Sequence, residues 1–207
     1  MPSLRGSALG HSGAFPARHP YPLTLFTPKN HTTLLIMNIL LIVDPQNDFI
    51  TGSLAIEGAI PAMDYLTAYV KEHHAEYDAI VVTMDQHPAD HCSFDVSGGP
   101  WPIHCVRYTT GAALYPPLAD AIMERKRQGQ NVLFVPKAMT RHKDAYSAFH
   151  DAVPDLLMNA RRIDVAGLAG DYCVKTTIED LRRLLYAPQI HPINEAIAWI
   201  GEPQPLV

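Results

Sequence analysis

The chain has 207 residues, which predicts one domain with extensions because domains average roughly 150 residues. With 47% hydrophobic and 18% charged residues, it can form a core and is not a disordered chain. Its net charge of −5 argues against binding of nucleic acid through phosphate neutralisation. The longest apolar run, residues 34–43, is too short to cross a bilayer. Three cysteines cannot form a disulfide framework, so we expect a soluble cytoplasmic protein.

Residues 1–33 differ in composition from the rest of the chain. They contain five prolines and no acidic residue. Because they lack apolar periodicity and proline interrupts helices, we predict a poorly ordered N-terminal extension. Two interpretations stay open for this segment. It is an organelle-targeting peptide, which makes a mitochondrial location the alternative to the cytoplasm, or Met37 is the natural start of the protein.

From residue 34 onward, apolar runs alternate with helical patterns. Runs that are apolar on both faces predict strands of a covered parallel sheet, and apolar residues spaced three or four apart predict helices. In chain order we predict a strand at 34–43, a helix at 60–77, a strand at 79–83, a helix at 118–128, a strand at 132–135, a helix at 155–162, a strand at 163–166 and a helix at 174–185. This alternation predicts an α/β fold over residues 34–186, a three-layer αβα sandwich with a doubly wound, mainly parallel sheet.

Residues 187–207 do not continue this pattern. Four prolines fall between residues 188 and 205, and proline is tolerated mainly at sheet edges. The apolar stretch at residues 196–200 could form a helical turn or a strand. We therefore predict an atypical C-terminal tail that supplies no central strand.

Reactive side chains of open α/β sheets gather just past the carboxyl ends of the strands. Asp44 directly follows the first predicted strand, where partial desolvation raises the pKa of a carboxylate and suits it to act as a general base. The alternative role for Asp44 is that of a structural cap. Lys137 follows the third predicted strand and supplies a cation there, unless it is an ordinary surface lysine.

A possible metal site follows the second predicted strand. Asp85 and His87 are separated by one residue, which in an extended chain places a carboxylate and an imidazole on one face. A third ligand is needed, and His91 and His104 are the candidates. Such nitrogen and oxygen ligands suit Zn²⁺, Fe²⁺ or Mn²⁺. The alternative is that this histidine-containing loop binds no metal.

The fourth predicted strand runs into a turn of small residues, and a helix begins close to Cys173. A helix N-terminus stabilises a thiolate, and backbone N–H groups in the same turn can bind an oxyanion. The alternative is a buried, inert cysteine. A loop rich in glycine and proline also presents Trp101 near His104, where the indole either stacks on a flat ring or belongs to the core.

Together these residues resemble the isochorismatase-like (cysteine hydrolase) superfamily and, within it, the nicotinamidase/pyrazinamidase family. The resemblance extends from about residue 40 to residue 185. Its most specific motifs are residues 44–49 (DPQNDF), 85–88 (DQHP), 101–106 (WPIHCV) and 167–174 (GLAGDYCV). Related isochorismatases and N-carbamoylsarcosine amidases lack the combined Asp-x-His and Trp-Pro-x-His motifs, so these motifs favour a nicotinamidase.

The resemblance implies a catalytic triad of Asp44, Lys137 and Cys173. In the implied reaction Asp44 takes the thiol proton, Lys137 stabilises the thiolate, and Cys173 attacks nicotinamide to form a thioester. Ammonia leaves, and water then releases nicotinate. The N–H groups of Ala169 and Cys173 would form the oxyanion hole, beside a cis peptide bond between Leu168 and Ala169.

The resemblance also implies one divalent metal ion, with zinc favoured and iron or manganese as alternatives. Its implied ligands are Asp85, His87 and His104, with His91 as a candidate fourth ligand. The metal would anchor the ring nitrogen of the substrate. Three aromatic residues would pack against the substrate ring, namely Phe49, Trp101 and Tyr146.

Two features depart from the family pattern. Gly170 stands where the family commonly has threonine, and the tail does not resemble the strand and helix that follow the cysteine-bearing helix in the family. Three hypotheses therefore stand: a metal-dependent nicotinamidase of NAD salvage, a related cysteine amidase acting on another small amide, and a catalytically dead homologue that binds ligand. The expected partner is the small molecule nicotinamide, without nucleic acid or membrane, and a homo-oligomer is left open.

Overall fold

The computed structural model describes residues 37–185 and 188–206. It contains the strands β1 (Met37–Val43), β2 (Ala79–Asp85), β3 (Asn131–Lys137), β4 (Ala160–Gly167) and β5 (Gln189–Ile197). They form one five-stranded sheet in the order β3-β2-β1-β4-β5, and every pair is parallel. The predicted α/β fold with a parallel sheet is confirmed. The predicted extension at residues 1–33, and residues 34–36 of the first predicted strand, lie outside the described residues.

Helices cover both faces of this sheet. They are α1 (Asn47–Ile50), α2 (Ala59–His73), α3 (Pro116–Arg127), α4 (Asp155–Met158) and α5 (Lys175–Leu184), with a π-helical turn at Gly170–Val174. Successive side chains of a strand point to opposite faces. On β1, Leu40 and Ile42 pack with α2 and α3, whereas Ile39 and Leu41 pack with α4 and α5. The result is the three-layer sandwich that the sequence predicts.

One predicted helix is shorter than expected, and the C-terminal tail adds a fifth strand to the sheet. The predicted helix at residues 155–162 is wrong after Met158, because Ala160 already begins β4 and Arg162 pairs with Asn38 of β1. In the tail, residues 189–197 form β5, which pairs with β4 at the edge of the sheet. Pro192 lies within β5, and a sheet edge is where a missing N–H is tolerated.

The parallel arrangement brings the strand ends together. Asp44 follows β1, while Asp85 and Lys137 end β2 and β3, which are neighbours in the sheet. Gly167 ends β4 with φ of 128°, and a β-carbon built there would lie 2.6 Å from the nitrogen of Val43. Only glycine permits this conformation and this close approach of β4 to β1. No helix in the described part of the chain is long and apolar enough to cross a membrane.

Candidate active site

Asp44 is a fully buried carboxylate at the end of β1. Its backbone has φ of 48°, in the left-handed region, and its N–H donates to the carbonyl oxygen of Thr83 over 3.1 Å. The Thr83 hydroxyl donates to Asp44 Oδ1 over 2.7 Å. Burial raises the pKa of Asp44 to about 6, although the Lys137 ammonium opposes this shift. The carboxylate is therefore ionised at neutral pH and has the basicity of a general base.

Lys137, the last residue of β3, is buried between two carboxylates. Its Nζ lies 3.0 Å from Asp44 Oδ2 and 2.5 Å from Asp85 Oδ1, and it donates to the Ala145 carbonyl over 3.0 Å. Burial alone would lower the pKa of Lys137, but the Asp44 and Asp85 carboxylates raise it well above its usual value. Lys137 is thus a permanent buried cation, and the surface-lysine alternative is wrong.

Cys173 lies in the π-helical turn that precedes α5. Its Sγ is 3.5 Å from Lys137 Nζ and lies within 4.8 Å of a carboxylate oxygen of Asp44 and of Asp85. Burial raises the pKa of the Cys173 thiol well above its usual value, and Lys137 offsets this only in part. The resting thiol is therefore protonated. This differs from the expectation of a thiolate stabilised at a helix N-terminus, and it means that attack by sulfur requires a base.

A group of possible metal ligands lies beside the thiol. Asp85, His87 and His104 are all buried, and each places one ligand atom within 4.8 Å of the others. Asp85 Oδ2 and His87 Nε2 are 3.6 Å apart. Burial alone would raise the pKa of Asp85, but Lys137 and His87 lower it, so the carboxylate is ionised. One anionic oxygen and two imidazoles match the ligand types of catalytic zinc sites.

The two histidines show that a divalent metal fits this group. His104 Nδ1 lies 2.7 Å from the Pro102 carbonyl oxygen, to which it donates, so its Nε2 keeps a free lone pair. Burial lowers the pKa of His104, which keeps the imidazole neutral. Both ring nitrogens of His87 are buried without a hydrogen-bond partner among the described residues. Because buried polar atoms are normally paired, a metal ion would satisfy a site that the protein leaves open.

His91 lies outside this three-residue group. Its Nδ1 is 2.7 Å from Ser93 Oγ, and its Nε2 is 3.3 Å from the Lys143 carbonyl oxygen. Its ring centroid lies 4.2 Å from that of His87, and both residues form a separate group of possible ligands with Asp144. Both nitrogens of His91 are therefore already engaged, which favours a role in supporting His87 over direct ligation.

A cavity lies between the thiol and the possible metal ligands, and it is walled by aromatic rings. Phe49 packs against His104 with 5.5 Å between ring centroids. Trp101 Nε1 donates to the Tyr146 hydroxyl over 3.3 Å, and the indole lies edge-on to Tyr172. All three aromatic residues that the resemblance implies line this cavity, and Tyr172 is an addition. The walls thus combine aromatic rings with the polar side chains of the possible metal ligands.

The turn between β4 and the π-helical segment forms another part of the wall. Ala169 is buried and lines the cavity together with Cys173. The peptide bond between Leu168 and Ala169 is cis, as the resemblance implies. The turn and the π-helical segment therefore bring Ala169 and Cys173 to the same cavity.

Sequence reasoning missed two residues that shape the site. Thr83 is not among the predicted site residues, although the pairing of β1 with β2 places it opposite Val43 and so next to Asp44. Gln46 holds the backbone of Asp85, because its Oε1 accepts from the Asp85 N–H over 2.7 Å and its Nε2 donates to the Asp85 carbonyl over 2.8 Å. Its position in the motif at residues 44–49 was the available signal.

Comparison with known proteins identifies the family. The family model of the Isochorismatase domain matches residues 38–192. A nicotinamidase/pyrazinamidase of Mycobacterium tuberculosis is 38% identical over 160 residues, which cover 71% of this chain and 80% of that protein. This chain belongs to the isochorismatase-like nicotinamidase family. The resemblance inferred from the motifs is confirmed.

Solved structures of the nicotinamidase family share the fold. PnC1 from L. infantum, in complex with nicotinate, is 32% identical with a TM-score of 0.68 and covers 80% of this chain and 82% of its own. The pyrazinamidase of Pyrococcus horikoshii, in complex with zinc, is 29% identical with a TM-score of 0.66. That alignment covers 79% of this chain and 87% of the Pyrococcus chain.

Proposed function

We propose that this protein is a metal-dependent nicotinamidase that converts nicotinamide to nicotinate and ammonia through a thioester on Cys173, as a step of NAD salvage. The observation that carries the proposal is the meeting of Lys137 and Asp44 with Cys173, which lines an aromatic cavity together with three possible metal ligands. Relatives named as nicotinamidases, and a similar structure that contains nicotinate, support the choice of substrate.

The acylation half of the reaction follows from the charges in the triad. Cys173 is a neutral thiol at rest, and Asp44, with a pKa of about 6, is ionised. Asp44 takes the thiol proton as sulfur attacks the carboxamide carbon, and the Lys137 ammonium, 3.5 Å from Sγ, stabilises the negative sulfur. The proton then passes to the amide nitrogen. The C–N bond breaks, ammonia leaves, and a C–S thioester bond remains.

In the hydrolysis half, Asp44 acts as a base again, this time toward a water molecule and not toward the thiol. Asp44, ionised again after ammonia departs, takes a proton from a water molecule that attacks the thioester carbon. The C–S bond breaks, the proton on Asp44 passes to the Cys173 sulfur, and nicotinic acid leaves, losing its own proton to solvent to become nicotinate. In both halves the carbonyl oxygen becomes an oxyanion. We assign its stabilisation to the N–H groups of Ala169 and Cys173, two residues that line the cavity.

Asp85, His87 and His104 would hold the metal ion, which we propose to be zinc. When bound, the ion would act as a Lewis acid toward the ring nitrogen of the substrate. The protein itself supplies orientation. Aromatic side chains that line the cavity would contact the ring and orient the amide toward the thiol. Those aromatic side chains are Phe49, Trp101 and Tyr146.

Ammonia release from nicotinamide tests the proposed activity. The wild-type protein, loaded with zinc, should turn over, whereas Cys173→Ala should lose about 10⁴-fold or more in kcat because no other group can form the acyl bond. Cys92→Ala is the matched control, since this cysteine does not line the cavity. Retained turnover in Cys173→Ala would overturn the mechanism. Wild-type protein that binds nicotinamide but releases no ammonia would be a ligand-binding homologue.

A further inference from the structure

The residues that follow β5 contact the turn that carries Cys173. We call residues 198–201 the tail segment. The Gly170 N–H donates to the Ala198 carbonyl oxygen over 2.8 Å. The next residue, Asp171, accepts two hydrogen bonds from the tail segment, from the Ile200 N–H over 3.1 Å and from the Gly201 N–H over 2.8 Å. The tail segment therefore holds the two residues between Ala169 and Tyr172 by three hydrogen bonds.

Side-chain packing reinforces these hydrogen bonds. The indole of Trp199 lies directly over Gly170, where a β-carbon would come within 2.5 Å of Trp199 Cε2 and 2.7 Å of Cε3. No side chain fits at position 170 while the indole occupies this place. Trp199 also packs against the apolar cluster that contains Cys173. Gly170 and Trp199 thus form a complementary pair that determines how the turn leading to Cys173 packs against the tail segment.

The tail segment also reaches the substrate cavity. Ile200 lines the same cavity as Cys173 and Trp101. Its side chain is 43% exposed, which places it at the mouth of the cavity. The tail segment therefore contacts the backbone of the turn leading to Cys173 and also forms part of the entrance to the cavity.

We propose that the tail segment is a positioning element of the active site. Trp199, seated on Gly170, holds the turn so that the Cys173 sulfur and the Ala169 N–H face the same reacting carbon, and Ile200 forms an apolar wall at the entrance. This inference rests on the proposed nicotinamidase function. Misplacement of a reacting group by about 1 Å can lower the rate about 10²-fold. A small shift of this turn is therefore enough to lower kcat.

A double-mutant cycle tests the complementary pair. Trp199→Ala removes the indole, and Gly170→Ala forces it away. Each should lower kcat by about tenfold or more, with a smaller change in KM. The double variant should be more active than Gly170→Ala alone, because its added methyl group occupies space that the indole has left. Trp199→Phe keeps a ring over Gly170 and should recover most of the lost kcat.

Alkylation of Cys173 by iodoacetamide, followed by peptide mass spectrometry, gives a second measurement that needs no turnover. A loosened turn exposes the thiol, so Trp199→Ala should be alkylated faster while its kcat falls. The control is Leu118→Ala, which removes a buried core side chain that neither lines the cavity nor belongs to the apolar cluster of Cys173. It should lower the melting temperature without either effect.

Additive losses in the double variant, or equal kcat and equal alkylation rates in Trp199→Ala and Leu118→Ala, would overturn the positioning role. If the wild-type protein releases no ammonia, the proposed function fails, and alkylation alone then decides the role of the tail segment. Ile200→Ala should raise the KM for nicotinamide by about fivefold, because apolar contact at the entrance is lost. An unchanged KM would remove Ile200 from the proposal.

Discussion

Removing the hydrogen bond from Thr83 to Asp44 should change the pKa of the proposed general base. The Thr83 hydroxyl is buried and donates to Asp44 Oδ1 over 2.7 Å, and Asp44 is fully buried. Valine has nearly the shape of threonine but cannot donate. Thr83→Val therefore removes one donor to the charged form of Asp44 while leaving its volume and its ion pair with Lys137 in place.

The expected size of the effect follows from the charged acceptor. A hydrogen bond to a charged group contributes about 1.5–3 kcal/mol, and one pKa unit corresponds to about 1.4 kcal/mol. Loss of the donor should raise the pKa of Asp44 from about 6 to about 7 or higher. Because the reaction needs ionised Asp44, activity is lost as the pH falls through this pKa. At pH 6 the ionised fraction should drop from about one half to about one tenth.

The pH dependence of kcat/KM for ammonia release measures this shift, since it reports groups of the free enzyme. The acidic limb of Thr83→Val should lie about one pH unit above that of the wild type. Thr67→Val is the matched control, because the Thr67 hydroxyl is also buried but donates to the Met63 carbonyl of α2 over 2.7 Å. An acidic limb that is unchanged in Thr83→Val, or that moves equally in Thr67→Val, would refute the assignment of Asp44 as base.

Two further predictions concern the metal ligands and the sheet. Mass spectrometry of the intact protein should show that His87→Ala and His104→Ala lose most of their bound metal. His91→Ala should keep its metal, with an affinity about 10- to 100-fold weaker. Equal loss of metal in all three variants would contradict the three-ligand set. Gly167→Ala should lower the free energy of unfolding in urea by about 3 kcal/mol or more, because its β-carbon would meet the backbone of β1. Gly58→Ala, also at positive φ but in open space, should cost only about 1 kcal/mol, and equal losses would contradict this account.

Local sequence pattern was enough to predict most of the fold and the strand-end residues. Runs such as residues 79–83 are apolar on both faces, which is typical of a covered parallel strand. Once the strands are parallel, their carboxyl ends meet at one edge, and this places Asp44, Asp85 and Lys137 together without knowledge of any distance. The spacing of Asp85 and His87 likewise needs only an extended backbone.

Features that depend on contacts distant in the sequence could not be predicted in this way. The helix expected at residues 155–162 gives way to β4 because pairing with β1 outweighs local preference. The protonation of Cys173 depends on how completely the fold buries it, which overrides the effect of a helix N-terminus. Gly170 and the tail each depart from the family pattern in sequence, but their packing against each other through Trp199 appears only when β5 completes the sheet edge.

Mass spectrometry of the acid-quenched reaction tests the central chemistry most directly. Zinc-loaded protein is mixed with excess nicotinamide, quenched at successive times and digested, and the peptide that contains Cys173 is examined. The account predicts a nicotinoyl group on Cys173 that appears before nicotinate accumulates and disappears when substrate is exhausted. Nicotinate formed while Cys173 stays unmodified at every quench time, or a nicotinoyl group on another residue, would contradict it.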